Sequence, residues 1–353
     1  MMKKMKILRI SKKSKKDYFS RKKSKLPFLK IFNQKYSRLN KNKSKNKNII
    51  NKMCIIFIFL ILPVISIILY FLFKPTIIAP YFDNKYLNIT VCICTLGKKE
   101  NRYIKEWVEH YEKYGVDKIY LYDNNDPDGE RFEEVIKDYI DKGFVEVLNW
   151  RGRKRPIMKI MTNCYQNNYN KYDWMMFYEL DEFIHLDKYT SVKQFLYEEK
   201  FKDCPIVNLN LIPHTDNNQL HYENRPLSER FPEKVNYSKI YFEVKSILRG
   251  HIPNVEINCI HRLHRQFQAC DAYGRHRELL TCEEPIPDYN HYYIDHYYSK
   301  STEEFINKIN RGDALFPSVA YKLARVKKLS KQVNFTKEKI EMIEKETGCY
   351  TSF

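Results

Sequence analysis

The chain has 353 residues, 43% hydrophobic and 15% aromatic, enough for one or two domains with a sizeable core and too apolar for a chain disordered throughout. Its net charge of +19 would suggest a nucleic-acid partner if it were spread over the fold. Residues 1–53, however, carry 20 of the 62 Lys and Arg and one acid, Asp17, while the remaining 42 basic and 42 acidic residues balance. The basicity belongs to a tail, and no nucleic acid is expected as a partner.

Residues 1–52 are a Lys-, Asn- and Ser-rich stretch of low complexity, which cannot bury enough apolar surface to fold alone. Residues 53–73 follow with no charge, and Lys74 closes them. A helix rising 1.5 Å per residue crosses a bilayer in about 20 residues, and Pro63 is tolerable there. About fifty residues precede this span, so it reads as an uncleaved signal anchor. The Lys/Arg excess on its amino side predicts a cytosolic tail and a single-pass type II protein, with the larger part lumenal in a Golgi or other secretory-pathway membrane. Residues 74–88 form a stem.

The globular part opens with a β-rich run, Thr90–Thr95. Asn101 to Tyr114 places Ile104, Trp107, Val108 and Tyr111 on one helical face, and Gly115 stops the helix. Lys118–Tyr122 reads as a strand ending in the turn-rich Asp123-Asn124-Asn125-Asp126-Pro127-Asp128-Gly129, followed by a helix over Arg131–Lys142 and a strand over Phe144–Asn149. A helix over Ile157–Asn170 then leads to a strand over Trp174–Glu179. Strand and helix alternate, which predicts right-handed crossovers and a mostly parallel sheet flanked by helices.

In such a sheet, ligands gather at the carboxyl ends of the strands. Neither G-x-G-x-x-G nor G-x-x-x-x-G-K-[ST] is present, which disfavours a dehydrogenase or an ATPase. The strand ends carry Thr95 and Glu100, then Asp123, Asn124 and Asn125, then Glu179-x-Asp181-Glu182. These groups suit hydrogen bonds to a nucleoside and carboxylate coordination of a divalent cation carrying a diphosphate.

Four stretches in this order, TLGKKENRYIKEWVEHYEKYGVDKIYLYDNNDPDGE, GFVEVLNW, YDWMMFYELDEFI and HYYSKSTEEFINKINRG, resemble glycosyltransferase family 92 and related family-2-like enzymes over about residues 90–315. The resemblance implies a GT-A-like fold and inverting transfer of a sugar from a nucleotide-sugar, usually a UDP-sugar, with Mn²⁺ or Mg²⁺ at an Asp-x-Asp motif. By that resemblance Asp123 contacts the nucleoside, Glu179 and Asp181 fill the metal motif, and His296 is the carboxyl-terminal metal ligand. Two departures stand out: the first acid of the motif is Glu179, one methylene longer than Asp, and Arg151–Pro156 lacks the Gln found in relatives. The cations of that segment could face the diphosphate or form an exposed basic loop. An inactive glycan-binding protein of the same fold and a nucleotidyltransferase are the alternatives.

Further along, a capping box from Ser191 to Gln194 opens a helix to Lys200, and the strand Pro205–Ile212 ends at His214 and Asp216. An inverting transferase acting on a glycan or glycoprotein hydroxyl needs a general base. Asp216 is the expected base, unless it only closes the turn before Asn217, and Asp181 is the residue on which turnover should depend most. The expected transferase domain covers 89–320, and 321–353 is a C-terminal helical extension.

Eight cysteines lie beyond the span, an even number compatible with disulfides in a translocated domain. Cys92 and Cys94 share one side of a strand and should not pair with each other. Cys259, His261, His264 and Cys270 fit no standard zinc spacing. Asn88, Asn236 and Asn334 are N-glycosylation sequons.

Overall fold

The computed structural model describes residues 84–153, 157–235, 243–259, 267–277, 290–312, 324–327, 329–330 and 333–348. The basic tail, the apolar span and the stem to residue 83 lie outside them. Among the described residues no helix is long and apolar enough to cross a membrane.

The first half follows the expected alternation: β1 (Val91–Gly97), α1 (Ile104–Lys113), β2 (Lys118–Asp123), α2 (Glu133–Asp141), β3 (Val145–Asn149), α3 (Ile157–Asn168) and β4 (Trp174–Phe177). Helix α1 buries Ile104, Trp107, Val108 and Tyr111 and ends at Gly115, whose φ of 76° is the left-handed conformation that a helix stop needs. The second half comprises β5 (Glu182–Leu186), α4 (Val192–Leu196), β6 (Ile206–Pro213), α5 (Leu227–Arg230), β7 (Val244–Arg249), β8 (Ala269–Asp271), β9 (His276–Arg277), β10 (Tyr292–His296), α6 (Thr302–Arg311) and α7 (Lys337–Thr347).

The sheet order is β3-β2-β1-β4-β7-β6-β10-β5. Strands β1 to β4 are mutually parallel, but β7 runs antiparallel between β4 and β6, and β5 runs antiparallel to β10. The sheet is therefore mixed where a mostly parallel one was expected. The cause is local: four residues separate β4 from β5, too few for a crossover, so β5 cannot return parallel to β4 and joins the far edge instead.

Alternate residues of each strand face opposite sides. Val91 and Ile93 pack with Trp107, Val108 and Tyr111, whereas Cys92 and Cys94 pack with Ile160, Met161 and Tyr165 of α3. Both faces are thus covered. A third, smaller core joins Phe305, Ile306 and Ile309 of α6 to Ile343 of α7. Helix α4 begins at Ser191, whose hydroxyl accepts from Lys193 N; Gln194 reaches Thr190 instead of completing the expected box, and the helix stops at Leu196. The full reciprocal box forms at α6, between Ser301 and Glu304.

Among the described residues two disulfides brace the fold: Cys94 to Cys164 ties β1 to α3, and Cys204 to Cys270 ties the approach of β6 to β8. Cys92 and Cys259 are free. Cys270 is thereby withdrawn from the four-residue zinc spacing, of which His261 and His264 lie outside the described residues. Asn88 and Asn334 are exposed, and Asn236 lies outside the described residues.

Each disulfide closes a long loop, with sequence separations of 70 and 66, and a bridge of this kind contributes about 2–4 kcal/mol. Thermal unfolding followed by circular dichroism should show a clearly lower midpoint for C94A than for the native chain. Equal midpoints in oxidising buffer would mean that the bridge does not form.

Candidate functional site

The carboxyl ends of β1, β2 and β4 share one edge of the sheet, since Gly97 pairs with Asp123 and Cys94 with Phe177. Strand β10 delivers His296 to the same region, where its register opposite β5 sets His296 beside Glu182. The backbone carbonyl of Asp181 accepts from Tyr297 N at 2.9 Å, and that of Glu182 accepts from the Trp107 indole and the Tyr111 hydroxyl, both at 2.9 Å. The acidic segment is therefore held from a strand and from a helix. Gly97 allows the approach, because a Cβ there would lie 2.5 Å from the Phe132 ring and 2.9 Å from Leu180.

Ligand atoms of Asp181, Glu182 and His296 lie within 4.8 Å of one another, all three buried, and Asp181 Oδ1 stands 3.7 Å from His296 Nε2. Ligands at roughly 2.0–2.6 Å from one hard cation sit roughly 3–4 Å apart, so the two carboxylates and the imidazole fit a divalent ion. Asp181 and His296 come together as the sequence led us to expect. Glu179 does not join them: it is half-exposed, and its Oε2 lies 2.9 Å from Lys245 Nζ. Glu182 takes the place expected of Glu179, because the β5–β10 register, and not the spacing within the motif, decides which acid faces His296.

Two lysines compensate the carboxylates. Lys245 on β7 is fully buried between Glu179 at 2.9 Å and Glu182 at 3.0 Å. Burial would lower its ammonium, but the two carboxylates outweigh that and raise it above its ordinary value. Lys308 on α6 donates to Asp181 Oδ2 at 2.6 Å. Burial likewise acts to raise Asp181, and Lys308, His296 and Lys300 prevail, holding its carboxyl well below the usual carboxylate range.

The expected donor contacts divide into two kinds. Asp123 is turned into its own loop, with Oδ1 accepting from Asn125 N at 2.9 Å and Oδ2 paired with Arg151 at 2.7 Å. Arg151 also donates to the carbonyls of Asp126 and Glu130. It is an internal brace, neither an exposed basic residue nor one facing a diphosphate; Lys154 and Arg155 lie outside the described residues. The Asn124 amide is spent on the Trp150 and Arg153 carbonyls. By contrast, Thr95 Oγ1 and Asn125 Nδ2 are buried with no hydrogen-bond partner among the described residues, so water or a ligand has to complete them. Glu100 lies between Arg311 at 2.5 Å and Lys300 at 3.7 Å.

Those last residues wall a cavity of about 360 Å³ between the loop after β1 and the segment Tyr298–Arg311. Burial lowers the Lys300 ammonium, with Glu100 and Asp181 opposing and Lys308 and Arg311 reinforcing the effect. Lys245, Lys308 and Arg311 were missed in the sequence. The signal for two of them was present: Lys308 and Arg311 are three apart on α6, hence on one helical face, and that face can turn toward a strand end.

Asp216 is placed differently from the expected base. It is buried, its Oδ1 accepts from Asn218 N at 3.0 Å, and its Oδ2 pairs with buried Lys339 of α7 at 2.6 Å. Asn217 and Asn218 adopt φ of 45° and 55°, completing a left-handed turn. Both oxygens are engaged in closing that turn and anchoring the C-terminal helix, so neither is presented to an acceptor hydroxyl. His214 beside it is likewise committed, to the Phe231 carbonyl and to Asp295.

The family model of glycosyltransferase family 92 matches residues 88–346. Among named relatives, a glycosyltransferase family 92 protein of Ricinus communis is 32% identical over 100 residues, 27% of this chain and 17% of that protein. One of Oryza sativa subsp. japonica is 29% identical over 100 residues, 27% of this chain and 16% of that protein. The matched stretch thus spans about a sixth of the length of those relatives. Among solved structures, S. aureus TarS is similar at a TM-score of 0.31 and 11% identity, covering 71% of this chain and 45% of that one. TarS 1–349 in complex with UDP-GlcNAc is similar at a TM-score of 0.33 and 11% identity, covering 69% of this chain and 72% of that one.

If Asp216 anchors α7, removing its charge strands a buried ammonium, a change that costs about 3–5 kcal/mol. D216N should lower the urea midpoint markedly, and K339M paired with D216N should recover part of the loss. An unchanged urea midpoint in D216N would contradict the anchoring role.

Proposed function

Given that the chain belongs to glycosyltransferase family 92, we propose that it is a membrane-anchored glycosyltransferase of GT-A-like fold. Its donor is a nucleotide-sugar, specifically a UDP-sugar, and its acceptor a hydroxyl of a glycan or glycoprotein. The observation that carries this reading is the convergence of Asp181, Glu182 and His296 at the carboxyl edge of the sheet, whose β1 and β2 ends also carry two buried polar atoms without partners among the described residues, Thr95 Oγ1 and Asn125 Nδ2.

In the transfer, the acceptor oxygen bonds to the anomeric carbon with inversion as the bond from that carbon to the diphosphate oxygen breaks. The electron pair stays on the diphosphate, and the hydroxyl proton is released to water. A Mn²⁺ or Mg²⁺ ion held by Asp181, Glu182 and His296 would neutralise the charge left on the diphosphate. The chain's own part is preorganisation. Tyr297, Trp107 and Tyr111 fix the backbone of the two acids, and Lys245 holds Glu182 in place. Thr95 and Asn125 lie where a nucleoside can complete their hydrogen bonds. Within the extension 321–353, α7 is anchored to the proposed transferase domain 89–320 through Lys339 and Asp216.

The type II arrangement rests on the uncharged span 53–73 and the basic tail before it. The two disulfides support a lumenal domain independently, because such bonds persist in oxidising compartments and are rare in the cytosol.

Purified enzyme should release UDP from at least one member of a UDP-sugar panel when acceptor is present. D181A should lower that turnover by on the order of 10²-fold or more, as electrostatic stabilisation of this kind is usually the largest catalytic term. Full activity in a folded D181A protein would remove the basis of the site. In sealed, right-side-in vesicles the large domain should resist added protease, and its digestion would overturn the orientation.

A further inference from the structure

The carboxylates proposed as metal ligands are already paired within the chain. Lys245 Nζ stands 3.0 Å from Glu182 Oε1 and 2.9 Å from Glu179 Oε2, and Lys308 Nζ donates to Asp181 Oδ2 at 2.6 Å. Three carboxylates against two ammonium groups leave a single negative charge, half of what a divalent ion needs. The ion would also meet an ammonium at close range, where like charges repel strongly away from bulk water. One lysine has to give way if the ion is to draw on both Asp181 and Glu182.

The two lysines are not equally able to do so. Lys245 is fully buried, is held by two acids, and projects from a strand paired on both sides. Lys308 holds one acid, is 21% exposed and lines the cavity of about 360 Å³. It also has a second seat within reach. Its ammonium lies 4.2 Å from the centre of the Tyr298 ring and 3.4 Å from the Tyr298 carbonyl, and an aromatic face and a carbonyl both attract a cation. A structural role alone, neutralising a buried acid, explains the 2.6 Å bond. It leaves unexplained why that acid is paired with the more mobile of the two lysines, while its other oxygen stands 3.7 Å from His296 Nε2.

We infer that Lys308 is an exchangeable counter-charge: its ammonium neutralises Asp181 in the metal-free chain and withdraws toward Tyr298 and the cavity when a divalent cation takes that carboxylate. The inference rests on the metal-ligand reading of Asp181, Glu182 and His296 and adds what Asp181 binds without the ion. Lys308 thereby spares the fold an unpaired buried carboxylate, and it lowers the affinity for the ion, which must displace it. It is a positioning residue, since it touches a ligand of the ion and not the ion. A lysine that stayed on Oδ2 while the ion used Oδ1 would instead orient the carboxylate and strengthen the site. The two arrangements predict opposite signs when Lys308 is removed.

Mn²⁺ binding to the chelator-stripped full chain in detergent, followed by the paramagnetic resonance of the free ion, separates them. K308M should bind Mn²⁺ about tenfold or more tightly than the native chain, the gain expected when a charge-assisted hydrogen bond no longer competes. K308R, which keeps a cation there, should stay nearer the native affinity, and D181A should lose the ion with or without K308M. Equal affinity in the native chain and K308M, with binding lost in D181A, would overturn the exchange and leave the metal ligands intact. Weaker binding in a K308M chain of native melting temperature would make Lys308 a fixed brace and overturn the exchange as well. Mn²⁺ bound by none of these chains would overturn the ligand reading and the exchange with it. A second measurement needs no variant: reductive methylation of the native chain, mapped by mass spectrometry, should modify Lys308 several-fold faster with Mn²⁺ than with EDTA, while Lys245 stays protected in both. Equal modification of Lys308 with Mn²⁺ bound would refute the withdrawal.

Discussion

Three carboxylates within the four residues Glu179 to Glu182 repel one another, and burying two of them requires positive charge from elsewhere in the chain. Neighbouring sequence supplies none. Lys245 comes from β7 and Lys308 from α6, 66 and 127 positions from their partners. The acidic segment can thus take its place only when the whole domain has folded around it, which makes the site a product of the tertiary structure. It also gives the two lysines different standing. Lys245 is enclosed by acids on both sides, whereas Lys308 meets one acid and an open cavity.

The mixed half of the sheet follows from the same demand. A strand inserted antiparallel between β4 and β6 presents Lys245 close to the end of β4, where Met176 pairs with Ile247. The antiparallel pairing of β5 with β10 then sets His296 opposite Glu182. A slip of one residue in either register would turn these side chains to the other face of the sheet. The cross-strand hydrogen bonds therefore specify the site as much as the side chains do.

Much of this was legible in the sequence where the cause is local. The helical spacing of Ile104, Trp107, Val108 and Tyr111, the stop at Gly115 and the apolar run ending in acids located the first seven elements and the carboxyl edge. The choice of Glu182 over Glu179 was not legible, because it depends on pairing with a strand more than a hundred residues away. Asp216 shows the same limit: its turn was readable from Asn217 and Asn218, but its ion pair with Lys339 joins segments 123 positions apart. Arg151 looked like an exposed cation because a run of basic residues usually is one, and only the fold reveals that it fills the turn below Asp123.

The polar groups of the sheet edge separate by what they have left to bind. Asp123, Asn124, His214 and Asp216 have their hydrogen bonds completed by the chain itself, and such groups position loops and helices. Thr95, Asn125 and Ser299 are buried without such partners among the described residues, and leaving a donor or acceptor so placed costs about 1–3 kcal/mol each. Glu100 Oε2, Asn101 Oδ1, Tyr178 OH and Glu182 Oε1 share that condition, so the sheet edge and the cavity beside it give up stability that fuller hydrogen bonding would provide. The sequence pointed to this edge through its acids. The unpartnered hydroxyls and amide carry no charge and form no motif, so nothing in the sequence singles them out.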